Sequence, residues 1–362
     1  MNIFQRKTRG IAFIAVVLLA AMLLGACDTG QPTATQAPTP AMTPTPTLTR
    51  VSLALDWYPN SNHAGFYVAQ EKGYYRDEGL DVNIYVPANP EDVLKTVGAG
   101  RDDFGVSYQA EVLLARGEGV PVKSIAALVQ HPLNSIMVLE ESGITRPRDL
   151  KGKTVGITGI PFEEALFSAM LEYDGISAED VTLVNVGFDL APALIGKKVD
   201  AIVGAYWTHE SIVMEMQGYP ISVLRMEEWG VPDFYELVLV ASQDTVSEKP
   251  ELVRRFLRAT ARGFADAIAD PQGAVDVLVD ANPETDKALE TQGIDLLAPM
   301  WTKGAPTFGW QYQERWESLA RWMKDQGLLK EEVDASEAFT SEFVAIQFGG
   351  PIRDLKSEFV TP

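Results

Sequence analysis

The chain has 362 residues, enough for two domains of ordinary size, and its 46% hydrophobic and 22% charged content is typical of a soluble globular protein. Its formal net charge of -20 argues against nucleic acid and anionic membrane surfaces as partners, because both are themselves negatively charged. With a single cysteine, Cys27, the chain has no disulfide within it.

The first 50 residues are predicted to carry export and attachment signals rather than a fold. Basic residues precede an apolar run, Ile11 to Leu24, that is too short for a comfortable membrane span and leads into Gly25-Ala26-Cys27. This pattern predicts a lipoprotein signal peptide over residues 1–26 and lipidation at Cys27; a plain signal peptide or an uncleaved anchor is the alternative. The Pro/Thr-rich stretch 27–50 is expected to be an extended tether. We therefore expect a protein held by lipid on the extracytoplasmic face of the cell membrane.

The folded part opens with a strand that ends in a polar and aromatic loop. Val51, Leu53 and Leu55 alternate with small residues, which predicts a strand with one apolar face. The strand stops at Asp56-Trp57-Tyr58-Pro59-Asn60, and a helix is predicted from Gly65. Ligands of open α/β sheets bind at the carboxyl ends of strands, so this loop is the first candidate binding segment. The alternative is an ordinary connection in which Trp57 covers the core.

Strands and helices then alternate, which implies mostly parallel sheets. In a first unit, strands are predicted at residues 79–86, 103–108, 124–129 and 136–139, with helices at 93–98 and from Gln109. In a second unit, strands are predicted at 154–157, 181–186, 201–205 and 221–224, with helices from Pro161 and at 189–195. Leu237 to Ala241 is predicted to be a strand that returns to the first unit, and the remainder is predicted to be helical.

Several short motifs occur together in a specific order between about Val51 and Phe343. They are Asp56-Trp57-Tyr58-Pro59-Asn60, Asn62-His63-Ala64-Gly65, Gly73-Tyr74-Tyr75, Glu78-Gly79-Leu80-Asp81-Val82, Asp103-Phe104-Gly105-Val106-Ser107-Tyr108-Gln109, Gln130-His131-Pro132 and Pro161-Phe162-Glu163-Glu164-Ala165. In this combination the chain resembles the thiamine-pyrimidine-synthesis and solute-binding family.

The resemblance implies an α/β fold of the two-lobed periplasmic-binding-protein type (type II), with two mixed sheets flanked by helices and a hinged cleft. We expect residues 51–142 and 240–350 to form lobe 1 and residues 143–239 to form lobe 2. Some members of the family deliver a formylated aminopyrimidine, a thiamine precursor, to an ABC importer, and a related subgroup binds riboflavin. A eukaryotic branch consists of single-turnover enzymes that make the pyrimidine from their own histidine and pyridoxal phosphate.

The enzyme branch is disfavoured by the export signal and by the lack of that branch's cysteine cluster, so we expect no catalytic residues and no cofactor. The turn from Gly204 to Glu210 departs from that of the pyrimidine binders, and its Tyr206 and Trp207 could sandwich a wide ring system against Trp57 and Tyr58. The sequence therefore favours riboflavin as the ligand, with formylaminopyrimidine as the alternative. An ABC permease is the expected partner of a monomeric protein, and a surface hydrolase is a weaker alternative because no acid–base pair supports it.

The predicted ligand contacts lie at strand ends and in the first turn of a helix. Trp57 with Tyr206 or Trp207 would stack on the rings. Hydrogen bonds to the ring edge and hydroxyl groups, and contacts along the cleft, are assigned to Asp56, Asn60, Ser107, Tyr108, Gln109 and Glu163. For Glu163 a favourable position at a helix N-terminus is an equally good explanation.

Each of the chain's 3 histidines, His63, His131 and His209, follows a predicted strand end. A zinc site would need them together with suitably spaced carboxylates, and no such spacing is present. We expect them to form hydrogen bonds in loops, and we predict no metal site.

Overall fold

The computed structural model of the protein describes residues 47–89, 92–187 and 189–345. The predicted signal peptide, the predicted lipidation site Cys27 and most of the predicted tether lie outside the described residues. So do residues 90 and 91, which precede the predicted helix at 93–98, and residues 346–350 of the predicted first lobe. Among the described helices, none combines the length and the apolar character needed to cross a bilayer.

The strands form two five-stranded sheets, and each sheet mixes parallel and antiparallel pairs. The strands are β1 (Thr49–Ala54), β2 (Leu80–Tyr85), β3 (Phe104–Ser107), β4 (Val122–Val129), β5 (Asn134–Leu139), β6 (Thr154–Ile157), β7 (Thr182–Asn185), β8 (Ala201–Tyr206), β9 (Ile221–Arg225) and β10 (Leu237–Ser242). The order in the first sheet is β2-β1-β3-β10-β4, and that in the second is β7-β6-β8-β5-β9. We call the first sheet with its helices the first half, and the second sheet with its helices the second half.

The helices flank these sheets. They are α1 (Ala64–Glu71), α2 (Tyr74–Asp77), α3 (Val93–Gly98), α4 (Gln109–Gly117), α5 (Pro161–Tyr173), α6 (Leu190–Ile195), α7 (Glu210–Met216), α8 (Gln243–Glu248), α9 (Pro250–Ala269), α10 (Pro271–Ala281), α11 (Lys287–Leu297), α12 (Gln313–Asp325) and α13 (Glu342–Ala345). The predicted α/β class with two mixed sheets flanked by helices is confirmed.

One strand in each sheet runs antiparallel to its neighbours and joins the two halves. β10 lies between β3 and β4 of the first sheet, as predicted for the returning strand. β5 lies between β8 and β9 of the second sheet. The sequence analysis placed residues 136–139 in the first unit, but this strand pairs with β8 and β9 of the second sheet. The chain therefore crosses between the halves at residues 130–133 and at residues 226–236.

Close helix packing holds the loop after β1 in place. α1 follows this loop and crosses α9, where a side chain on Gly263 would place its Cβ 2.1 Å from the carbonyl oxygen of Gly65. The apolar face of α9 is buried, including Phe256 and Phe264, whereas Ile268 in its last turn is 37% exposed. Because α1 cannot shift along α9 without a steric clash, the position of α1 fixes the end of the loop that precedes it.

Candidate functional site

A cavity lies at the carboxyl ends of four parallel strands, β1 and β3 from the first half and β6 and β8 from the second. Its volume is about 540 Å³ when the part open to solvent is included. This is the place where α/β sheets bind ligands, because loops from several strands converge there.

The cavity brings together most of the residues predicted to contact a ligand. Those at its lining are Asp56, Trp57, Asn60, Tyr108, Glu163 and Tyr206. The sequence analysis missed further lining residues, which are Asn62, Thr158, Ile160, Leu190, Gly204, His209 and Glu210. His209 and Glu210 stand in a motif that the sequence analysis singled out, so the position after β8 was a usable signal for them.

Three predicted contacts lie elsewhere. Gln109 is fully buried, and its side-chain oxygen accepts the Tyr235 N–H at 2.8 Å, so it stabilises the segment before β10. The indole N–H of Trp207 donates to the Pro132 carbonyl at 3.1 Å. Ser107 is buried in β3 and is absent from the cavity lining. Tyr206, the last residue of β8, lines the cavity, whereas Trp207, in the turn that follows the strand, does not.

Asp56 is held by two neighbouring side chains. One carboxylate oxygen lies 2.9 Å from His63 Nε2, and the other accepts the Tyr108 hydroxyl at 3.0 Å. The backbone N–H of Asn60 donates to His63 Nδ1 at 3.3 Å, so Nδ1 is the acceptor and Nε2 carries the proton that faces Asp56. Burial raises the pKa of Tyr108 well above its usual value, which keeps this phenol a donor. His63 therefore acts in the structure by orienting Asp56.

Glu163 presents a neutral acid to the cavity near neutral pH. Burial raises the pKa of Glu163 to about 8, and the nearby carboxylate of Glu236 adds to this effect. The Thr158 hydroxyl donates to one of its oxygens, and Asn134 Nδ2 lies 3.4 Å from the other. Because burial outweighs the stabilisation of negative charge at the N-terminus of α5, a favourable charge position does not explain this residue.

Gly204 leaves the space that Glu163 occupies. Its φ is +92°, and a Cβ built there would lie 2.6 Å from Glu163 Oε2. Both the backbone conformation and the close contact therefore favour glycine at this position.

Glu236 lies just before β10 and ties the two crossing segments together. One oxygen accepts the backbone N–H groups of Leu133 at 2.6 Å and Asn134 at 2.9 Å. The other accepts the hydroxyl of Tyr206, a cavity residue, at 3.1 Å. Burial raises the pKa of Glu236 to about 7. No pattern in the sequence around residue 236 pointed to this role.

Each histidine lies beside at least one carboxylate. His63 pairs with Asp56 and His131 with Asp233, both at 2.9 Å. His209 Nδ1 lies 3.0 Å from Glu210 Oε1. In the part of the chain that the structure describes, no group of three or more His, Cys, Asp or Glu side chains is placed to hold a metal ion.

Known proteins resemble this chain in sequence and in fold. A family model described as NMT1/THI5 like matches residues 60–274. The formylaminopyrimidine-binding protein of Halalkalibacterium halodurans is 36% identical over 332 residues, which cover 91% of this chain and 98% of that protein. The riboflavin-binding protein RibY of Chloroflexus aurantiacus is 33% identical over 344 residues, which cover 90% and 96%.

Among solved structures, the periplasmic aliphatic sulphonate binding protein SsuA from Escherichia coli matches with a TM-score of 0.65 at 14% identity, covering 80% of this chain and 96% of SsuA. At this identity the match shows the fold alone. The expected periplasmic-binding-protein fold is confirmed.

Proposed function

Because the chain belongs to the NMT1/THI5-like family, we propose that it is the extracytoplasmic solute-binding protein of an ABC importer and captures a planar heterocycle without changing it chemically. The observation that carries this proposal is the cavity at the carboxyl ends of strands from both halves, with an indole and buried carboxyl groups at its lining. A ligand that contacts both halves favours the state in which they are closed around it.

Formylaminopyrimidine is the ligand that this cavity supports best. The predicted preference for riboflavin rested on Tyr206 or Trp207 as a second aromatic plate, and of these two Tyr206 lines the cavity while Trp207 lies outside the lining.

The polar lining also matches an aminopyrimidine. Its ring nitrogen accepts a hydrogen bond while the adjacent amino group donates one. A carboxylic acid that is mainly neutral near pH 7, such as Glu163, offers the complementary donor and acceptor. Asn62 Oδ1 is buried and accepts no hydrogen bond within the described residues, so we assign it to a ligand N–H. Trp57 is the proposed stacking partner.

Riboflavin remains a second candidate because RibY is similar over 90% of this chain. Tyr206 at the lining, opposite the loop that carries Trp57, is the residue that would serve a wider ring.

Isothermal titration of the purified full-length protein, once with formylaminopyrimidine and once with riboflavin, distinguishes the two. We expect formylaminopyrimidine to bind at least about tenfold more tightly, a difference of about 1.4 kcal/mol. Mass spectrometry of the recovered ligand should show it unchanged. Tighter binding of riboflavin, with quenched flavin fluorescence, would reverse the assignment, and a converted ligand would mean that the protein is an enzyme.

A further inference from the structure

A buried carboxylate on α11 connects loops from the two halves. Glu290 is 3% exposed and does not line the cavity. Its Oε2 accepts the backbone N–H of Ser61 at 2.6 Å and the Ser61 hydroxyl at 2.5 Å. Ser61 begins the short 3₁₀ turn that follows the loop after β1 in the first half. Glu290 Oε1 faces the other way and lies 3.7 Å from His209 Nε2, an ion-pair distance rather than a hydrogen bond.

His209 links Glu290 to the second half through Glu210. Its Nδ1 lies 3.0 Å from Glu210 Oε1, and Glu210 Oε2 accepts the backbone N–H of Tyr206 at 2.7 Å. Both ring nitrogens face carboxylates, and only the doubly protonated imidazolium donates from both. Burial by itself lowers the pKa of His209, but the carboxylates of Glu210 and Glu290 outweigh it and raise the pKa to about 10.

A second contact brings the same helix against the second half. Gly293, one turn after Glu290 on α11, would place a Cβ 2.9 Å from the carbonyl oxygen of Thr208. α11 therefore approaches the backbone beside His209 as closely as glycine permits. This approach positions the carboxylate opposite the imidazolium independently of any side-chain charge.

We propose that Glu290 and His209 form a latch across the cleft, an ion pair that holds the two halves closed. The inference rests on the proposed function in one respect, that the halves separate to admit a ligand. When they separate, Glu290 stays bonded to Ser61 and His209 stays bonded to Glu210, but water then reaches these bonds, so the Ser61 and Tyr206 amides exchange faster. The pair across the cleft and the contact at Gly293 are lost, and the latch can form again because both partners are still held in place. Glu290 is thus a positioning residue of the closed state.

Hydrogen exchange of the ligand-free, full-length protein tests the latch directly. Glu290→Gln keeps the shape of the side chain and an oxygen for Ser61 but removes the charge, and His209→Gln removes the partner charge. We expect His209→Gln to speed exchange of the Ser61 amide, in the opposite half, about fivefold or more. Glu290→Gln should do the same to the Tyr206 amide. Combining the two substitutions should give no further increase, because each one already breaks the same pair.

Asp174→Asn is the matched control. Asp174 is a buried carboxylate paired with Arg146 and bonded to the Arg148 N–H at 2.8 Å, and all three residues belong to the second half. This variant should leave exchange at Ser61 and Tyr206 unchanged. Unchanged exchange at Ser61 in His209→Gln, or effects of the two substitutions that multiply, would overturn the proposal. If Glu290→Gln fails to fold, the partly exposed His209 still carries the test.

Titration with formylaminopyrimidine separates this inference from the proposed function. Affinity should fall in each latch variant by no more than the factor by which protection from exchange falls, because apparent affinity scales with the fraction of closed protein. A wild-type protein that binds neither formylaminopyrimidine nor riboflavin, yet shows the coupled exchange, would refute the proposed ligand and leave the latch standing. A wild type that binds formylaminopyrimidine tightly, with exchange at Ser61 and Tyr206 unchanged in both variants, would refute the latch and leave the ligand.

Discussion

Replacing Glu163 by glutamine should change how the stability of the ligand-free protein depends on pH. Burial raises the pKa of Glu163 to about 8 from an ordinary value of 4.5. The folded state therefore holds a proton that the unfolded chain releases. This contribution to stability is fully present below about pH 4.5 and is lost as the pH rises through about 8.

The difference between these pKa values corresponds to about 5 kcal/mol in favour of the neutral acid. Integrated over pH, the wild type should lose about 4 kcal/mol of unfolding free energy from this group between pH 5 and pH 9, of which about 1.4 kcal/mol disappears between pH 7 and pH 9. Glutamine has the shape of the neutral acid and does not ionise. Glu163→Gln should therefore match the wild type at pH 5 and be more stable by about 4 kcal/mol at pH 9.

Urea unfolding at pH 5, 7 and 9, followed by circular dichroism, measures the effect. Glu236, whose pKa is raised to about 7, contributes to the pH dependence of stability in the same direction in both proteins. The difference between the two stability profiles is therefore the relevant quantity. Glu164→Gln, in the same turn of α5 but outside the cavity lining, is the control and should run parallel to the wild type. A Glu163→Gln profile parallel to that of the wild type would refute the reasoning, because Glu163 would then be ionised in the folded protein.

Four further substitutions test the cavity and the anchor. Trp57→Ala should weaken binding of formylaminopyrimidine at least about tenfold in calorimetry, because stacking on the ligand is lost. Trp207→Ala should lower the melting temperature and leave affinity within about twofold. Equal losses of affinity in the two variants would contradict the assignment of stacking to Trp57 alone. Gly204→Ala should abolish binding and lower the free energy of unfolding in urea by about 1–3 kcal/mol, because φ at this position is +92° and the new Cβ would meet Glu163. Wild-type affinity in this variant would show that the cavity tolerates a side chain there. Cys27→Ser should prevent incorporation of labelled palmitate and release the protein from the membrane fraction, and continued labelling would exclude lipidation at this residue.

The sequence revealed the part of the site that local rules control. Alternating apolar residues located the strands, and the residues after strand ends then supplied Asp56, Trp57 and Tyr108. These residues converge because parallel strands present their carboxyl ends at one edge of a sheet. Of the two predicted stacking residues after β8, Tyr206 lines the cavity and Trp207, one residue later, lies outside the lining. Tyr206 and Trp207 have similar aromatic character, and only the geometry of the backbone decides which of them faces the cavity.

The residues that the sequence did not reveal depend on tertiary pairing. Glu290 is separated from its partner Ser61 by 229 positions, and its own surroundings read as an ordinary amphipathic helix. Glu236 acquires its role because residues 130–133 and 226–236 run side by side. The placement of residues 136–139 failed for the same reason. The apolar sequence of a strand does not indicate which of two sheets the strand joins. The pairing depends on the path of the connection that precedes the strand.

The position of β10 inside the first sheet has a consequence for biogenesis. This strand is the last of the ten to leave the ribosome, yet it fills a slot between β3 and β4, which emerge more than a hundred residues earlier. A nascent chain that stops short of β10 has a complete second sheet, while two strands of its first sheet still expose unpaired edges. The amino-terminal segments must therefore wait for a late-arriving partner, and nascent chains shorter than this are the form most exposed to edge-to-edge aggregation.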